Sequence, residues 1–185
     1  MTRKSILAAL LLASVGVIAV LLMPPLRGEL PLSNPRVARG HLRNLIGAQE
    51  QFRLKGYSAD GSHTYWRGDI AQLHSLKIQG RPIGLIDPSL AAADDRPGVG
   101  PGASDARFPL DGYLYRAILI QGETQPDPQH FGLCAFPAAY PKSGRQTLVA
   151  TDSGIVYARD LGRGGGVDVC PRDPAREGWR IVEGP

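Results

Sequence analysis

Residues 131–162, "FGLCAFPAAYPKSGRQTLVATDSGIVYARDLG", decide the fold. The run from Phe131 to Pro137 is apolar enough for a buried strand. "RQTLVA" (145–150) and "IVYARD" (155–160) flank Thr151-Asp152-Ser153-Gly154, a turn sequence, and predict a hairpin. Pro137 and Pro141 stop the first of these strands or confine it to a sheet edge, because proline cannot donate to a ladder. Working outward, "GYLYRAILIQG" (112–122) alternates Tyr113, Tyr115, Ala117, Leu119 against Leu114, Arg116, Ile118, Ile120, a strand with two usable faces. "GWRIVEG" (178–184) supplies a closing strand, and "GRGGG" (162–166) reads as a flexible connection. No convincing helix follows those glycines, so they make a poor phosphate loop.

Upstream the period changes. From Pro35 to Leu54, at 100° per residue, Val37, Ala38, Leu42, Leu45, Ile46, Ala48 and Phe52 fall within one half-circle. Arg36, Arg39, Arg43, Asn44, Glu50 and Gln51 fall on the other, and Ser33 or Asn34 can cap the start. Gly56 suits the left-handed residue that ends such a helix. His41 lies among the apolar residues, as a packed histidine with one hydrogen bond. A short capped helix is predicted at Asp69–Leu76, and another helical turn from Asp87-Pro88. Residues 94–109, "DDRPGVGPGASDARFP", read as a solvated loop. Asp94, Asp95 and Asp105 lack the regular spacing of calcium ligands. The result is an α+β protein, with an amphipathic helix packed on an antiparallel sheet of about four strands.

Ser5 to Met23 runs 19 residues without a charge, behind Arg3 and Lys4 and ahead of Pro24-Pro25. As a helix it spans about 28 Å, close to the hydrocarbon thickness of a bilayer. Two readings follow, a retained single-pass anchor or a cleaved signal segment. In both, Arg3 and Lys4 stay in the cytoplasm and the remainder is exported. The expected organisation is an anchor or signal over 1–25, a linker over 26–34 and an extracytoplasmic domain over 35–185, in the periplasm or at the cell surface. Export makes the two cysteines, Cys134 and Cys170, candidates for a disulfide. The loop of about 35 residues it would close is worth about 3 to 4 kcal/mol on chain entropy.

The chain carries 21 Lys and Arg against 17 Asp and Glu, interleaved along its length, which argues against nucleic acid as a partner. Its four histidines, at 41, 63, 74 and 130, match no zinc spacing with two lone cysteines, and no cofactor is expected. No G-x-S-x-G elbow is present, and His130 stands four strand positions from Cys134, about 13 Å away. No catalytic residue is assigned and the chain is expected to be non-enzymatic. Tyr113, Tyr115, Tyr140 and Trp179 gather in the sheet half. They serve either packing or an interaction surface for a protein or cell-envelope partner.

Three motifs, "GYLYRAILIQG", the opening 131–162 stretch and "GWRIVE", resemble the late core of a bacterial exported domain family of unknown function. The N-terminal half resembles type IV pilin-like proteins in layout: an apolar anchor, the helix "LRNLIGAQEQFRLKGY" and a sheet closed late by a cysteine pair. Leu42, Asn44, Ala48, Phe52, Gly56 and Tyr57 carry the helix pattern. The glycine-phenylalanine cleavage site and early glutamate of prepilins are missing. These resemblances imply a membrane-anchored, extracytoplasmic structural or interaction protein. The alternatives are a secreted envelope ligand-binding module and a small envelope hydrolase.

Overall fold

The computed structural model of the protein describes residues 35–96 and 107–184; the apolar segment, the linker and the Ser33/Asn34 cap lie outside them. Helix α1 spans Pro35–Leu54. Its end is a Schellman motif: Gly56 has φ +60°, Tyr57 N–H bonds Phe52 C=O (3.2 Å), and Gly56 N–H bonds Arg53 C=O (3.1 Å). The Tyr57 ring closes edge-on over Phe52, the apolar contact that accompanies this cap. Short helices follow, α2 at Gln72–Ser75 and α3 at Pro88–Ala92, with a two-residue ribbon between them, β1 (Lys77–Ile78) on β2 (Arg81–Pro82).

The main sheet has five antiparallel strands, one more than expected, in simple meander order. They are β3 (Tyr113–Ile118), β4 (Gly132–Pro137), β5 (Gln146–Thr151), β6 (Val156–Asp160) and β7 (Arg180–Glu183). β4 is an interior strand rather than an edge, and it ends at Pro137, the strand stop that is the other expectation. Its pairing with β5 ends at Ala135↔Leu148, so Pro137 sits where no further donor is required on that side. Among the described residues no helix is long and apolar enough to cross a membrane.

Helix α1 lies across β4 and β5. Ala38, Leu42, Leu45, Ala48 and Phe52 are buried, as the helical period predicts, whereas Val37 is exposed at the rim of the stripe. Beneath them the sheet offers Tyr113, Tyr115, Leu133, Ala135, Leu148, Ala150, Val156 and Ala158, one face of the alternation. The arginines on the other side of α1 reach β7: Arg39 Nη1 donates to Val182 C=O (2.7 Å), and Arg43 pairs with Glu183.

The opposite sheet face is not free. Leu161, Val167, Cys170 and Trp179, from the irregular stretch before β7, pack on Leu114, Ile118, Cys134, Phe136 and Val149. The glycine run expected to be flexible is part of this cover. Gly166 lies flat on Phe136, where a Cβ would come within 2.6 Å of the ring, and Gly165 C=O accepts from Thr147 Oγ1 (2.7 Å). Glycine is needed there for close approach.

Four further expectations are corrected by burial. Tyr113 and Tyr115 are fully buried under α1, and Trp179 is buried in the outer cover, so these three are packing residues and not a contact surface. Tyr140 alone of that set is half-buried. Asp94 and Asp95, read as solvated, are 2% and 4% exposed. The capped helix expected over Asp69–Leu76 is the shorter α2, which has no side-chain cap. Asp94 instead accepts from Ala71 N–H at 2.8 Å just ahead of it; Asp105 lies outside the described residues. Finally, both cysteines are free. The Cys170 sulfur packs on Gly132, 2.5 Å from where a Cβ would stand. That is one same-face position from Cys134, about 7 Å along the strand. Burial pushes both thiols up to about 12.

Candidate functional site

With both sheet faces covered, the open features lie around them: a shallow cavity of about 460 Å³ between α1 and residues 84–90, and two more at the rim of β3. With β7 at the other side, β3 is one of the two edge strands. Its inward groups bond β4, and every second residue faces the edge. Two short segments cap that edge by parallel bridges. Tyr115 bonds Ala93 and Asp95, and Leu119 bonds Asp168 and Cys170. Ala117 lies between the two caps and is exposed. After two tyrosines on the same face its methyl leaves room, and a cavity of about 220 Å³ opens there. Trp66, Phe131, Ile118 and Leu119 are among its apolar lining residues, and Arg67 and Arg96 line it as well.

The wall is held by tertiary contacts. Gln49, buried on α1, uses its amide as a piece of backbone: Nε2 donates to Trp66 C=O (3.2 Å) and Oε1 accepts from Trp66 N–H (2.8 Å). The Trp66 Nε1–H donates to Asp69 C=O (2.9 Å), and its ring meets Phe52 at 5.4 Å. Below the cavity runs an ion-pair chain. Arg107 and Arg116 both hold Asp95 (3.0 and 2.5 Å), and Arg116 and Arg96 both hold Asp168 (2.5 and 2.9 Å). The Arg116 guanidinium also lies over the Phe136 ring, 4.5 Å from its centre. Burial pushes the Asp168 carboxyl up, but hydrogen bonds and charge from Arg116 and Arg96 outweigh it, so its pKa is lowered. Burial raises the pKa of Asp94. Arg67 is exposed and enters no ion pair among the described residues.

Around the corner, His130 Nδ1–H donates to Asp152 Oδ2 at 2.8 Å, which raises the histidine pKa. A second cavity, about 360 Å³, is lined by this pair and by Cys170. His130 and Cys170 share this cavity, whereas the hydrogen bond of His130 is to Asp152 of the β5–β6 turn. His41 behaves as expected: half-buried, with Nε2 2.9 Å from Asp111 and its ring edge-on to Tyr115. Among the described residues no group of three or more His, Cys, Asp or Glu could hold a metal ion.

Sequence reading missed Gln49, Arg67, Arg96, Ala117 and the buried aspartates. Only Gln49 carried a usable signal, since it stands seven residues after Leu42 and so on the buried stripe. Neither a curated protein nor a solved structure matches the chain. A family model does match, over residues 42–169, from the middle of α1 to the cap on the β3 edge. The chain therefore belongs to the family described as protein of unknown function (DUF2950).

Proposed function

We propose that this chain is a non-enzymatic interaction protein, held outside the cytoplasm by its apolar N-terminal segment and pilin-like in layout. It meets its partner at the β3 edge. The observation that carries this is the distribution of free surface: both sheet faces are used internally, while Trp66, Arg67 and Ala117 converge on one open cavity. The helix laid across β4 and β5 supports the pilin-like comparison. Cys170 beside the His130–Asp152 pair supports binding over catalysis. A cysteine nucleophile acts as the thiolate, and this thiol, pushed up to about 12, stays protonated at neutral pH.

The test has two arms. Protease added to intact spheroplasts should degrade the domain without lysis; protection until lysis would place it in the cytosol and end the proposal. A photo-cross-linker at position 67 should yield a discrete adduct in those cells that Ala117→Leu removes. An adduct indifferent to Ala117→Leu would move the contact elsewhere. N-terminal sequencing of the mature chain separates an anchor, starting at Met1 or Thr2, from a signal segment cleaved near Pro25.

A further inference from the structure

The cavity also defines what fits it. At about 220 Å³ it is smaller than drug-sized sites, which run from ~300 Å³ upward, so its occupant is of single-residue size. Trp66, Phe131, Ile118 and Leu119 ask for an apolar body. The lining arginines and aspartates balance, Arg67 and Arg96 against Asp127 and Asp168. Arg67 and Asp127 enter no ion pair among the described residues, so the cavity can take an anion on the one and a cation on the other. Arg96 has only Asp168, which it shares with the better buried Arg116. Two acids also touch the cavity. Asp168 is engaged by those two arginines, and Asp127 accepts from Gln129 N–H (2.7 Å). The Ala117 N–H adds a donor on the floor. Alternation turns it toward the edge, and the caps at Tyr115 and Leu119 leave it uncovered.

From this we infer that the cavity binds an apolar carboxylate, its side chain against Trp66 and Phe131 and its carboxylate on Arg67. Two sources share that chemistry: a free apolar amino acid, whose ammonium group Asp127 would receive, and the C-terminal residue of a peptide. The inference rests on the reading of this cavity as the contact site.

The experiment is a titration of the full-length chain in detergent, followed by tryptophan fluorescence. The probes are L-leucine, N-acetyl-L-leucine, the dipeptide alanyl-leucine and leucinamide. At least one carboxylate should give a saturable response. Leucinamide and the Arg67→Gln protein should bind about tenfold or more weakly, as expected for a lost charge-assisted hydrogen bond. Ala117→Leu should abolish the response while holding or raising the melting temperature, which separates a filled cavity from a misfolded protein. Trp66→Phe should remove the signal, since Trp179 is buried on the other face. Equal affinity for leucinamide and the acids, or no saturable response to any probe, overturns the inference. Equal binding of N-acetyl-leucine and alanyl-leucine assigns a peptide terminus. Binding of leucine alone, weakened by Asp127→Asn, assigns the free amino acid. If no probe binds while the cross-link at position 67 still depends on Ala117, the carboxylate chemistry fails and the contact reading stands.

Discussion

The two faces of the central sheet are built by different means. On one, a 20-residue helix presents a continuous apolar stripe to alternate residues of β3 to β6. On the other, an irregular segment is held by a few specific fits: Gly166 on Phe136, Cys170 over Gly132, Arg116 between two carboxylates and an aromatic ring. The first face depends on area, which any apolar side chain of the right size supplies. The second depends on individual shapes and charges, so its tolerance should fail residue by residue.

That contrast can be broken by mutation. Leu148→Ala empties a fully buried position under α1 and is expected to cost about 3 to 4 kcal/mol in urea unfolding, within the usual range for a buried leucine. A loss below about 1 kcal/mol would mean that the helix face is not the principal core. Arg116→Gln comes next, at about 3 kcal/mol, because it leaves the buried Asp95 with Arg107 alone. A loss below about 1 kcal/mol would show that this buried ion pair is not what holds the outer face.

Gly132→Ala sharpens the comparison. Its Cβ would meet Cys170 Sγ at 2.5 Å and the Ile118 carbonyl oxygen at 3.0 Å, so about 1 to 3 kcal/mol should be lost. Truncating the obstructing sulfur in Gly132→Ala/Cys170→Ala should recover part of it, and strictly additive losses would refute the fit. The same packing predicts that both cysteines resist alkylation at pH 8 in the native protein, and that both label in denaturant with no reductant. Labelling in denaturant that requires reductant would instead reveal a disulfide.

The smallest effect is expected at His130, outside both cores. Its pKa is raised by the Asp152 hydrogen bond and charge, so the pair's contribution is complete below the unfolded histidine value, ~6.5. It is lost as pH rises through the folded value. As an exposed pair it is worth under about 1 kcal/mol. Titration by NMR should place His130 above the ordinary range, and Asp152→Asn should return it there. No change in Asp152→Asn would dissolve the pair.

Much of the helix face is legible without coordinates. Leu42, Leu45 and Phe52 repeat at helical spacing, and the hairpin from Gln146 to Asp160 announces its turn. The outer face is not, because nothing periodic marks residues 161–179 as a cover, and glycines chosen for contact look the same as glycines chosen for freedom. The candidate site is harder still. Ala117 matters because two distant segments stop short of it, and Asp94 and Asp95 are buried by partners 23 and 21 residues away.

Local chemistry therefore settled the element types, the capped end of α1 and the buried stripe, since periodicity, glycine conformation and proline stops act within a few residues. Strand order, the covered outer face, the separate packing of the two thiols and the cavity at the β3 edge belong to the tertiary structure. Each depends on which remote groups share a surface, and close packing and ion pairing across the fold decide that.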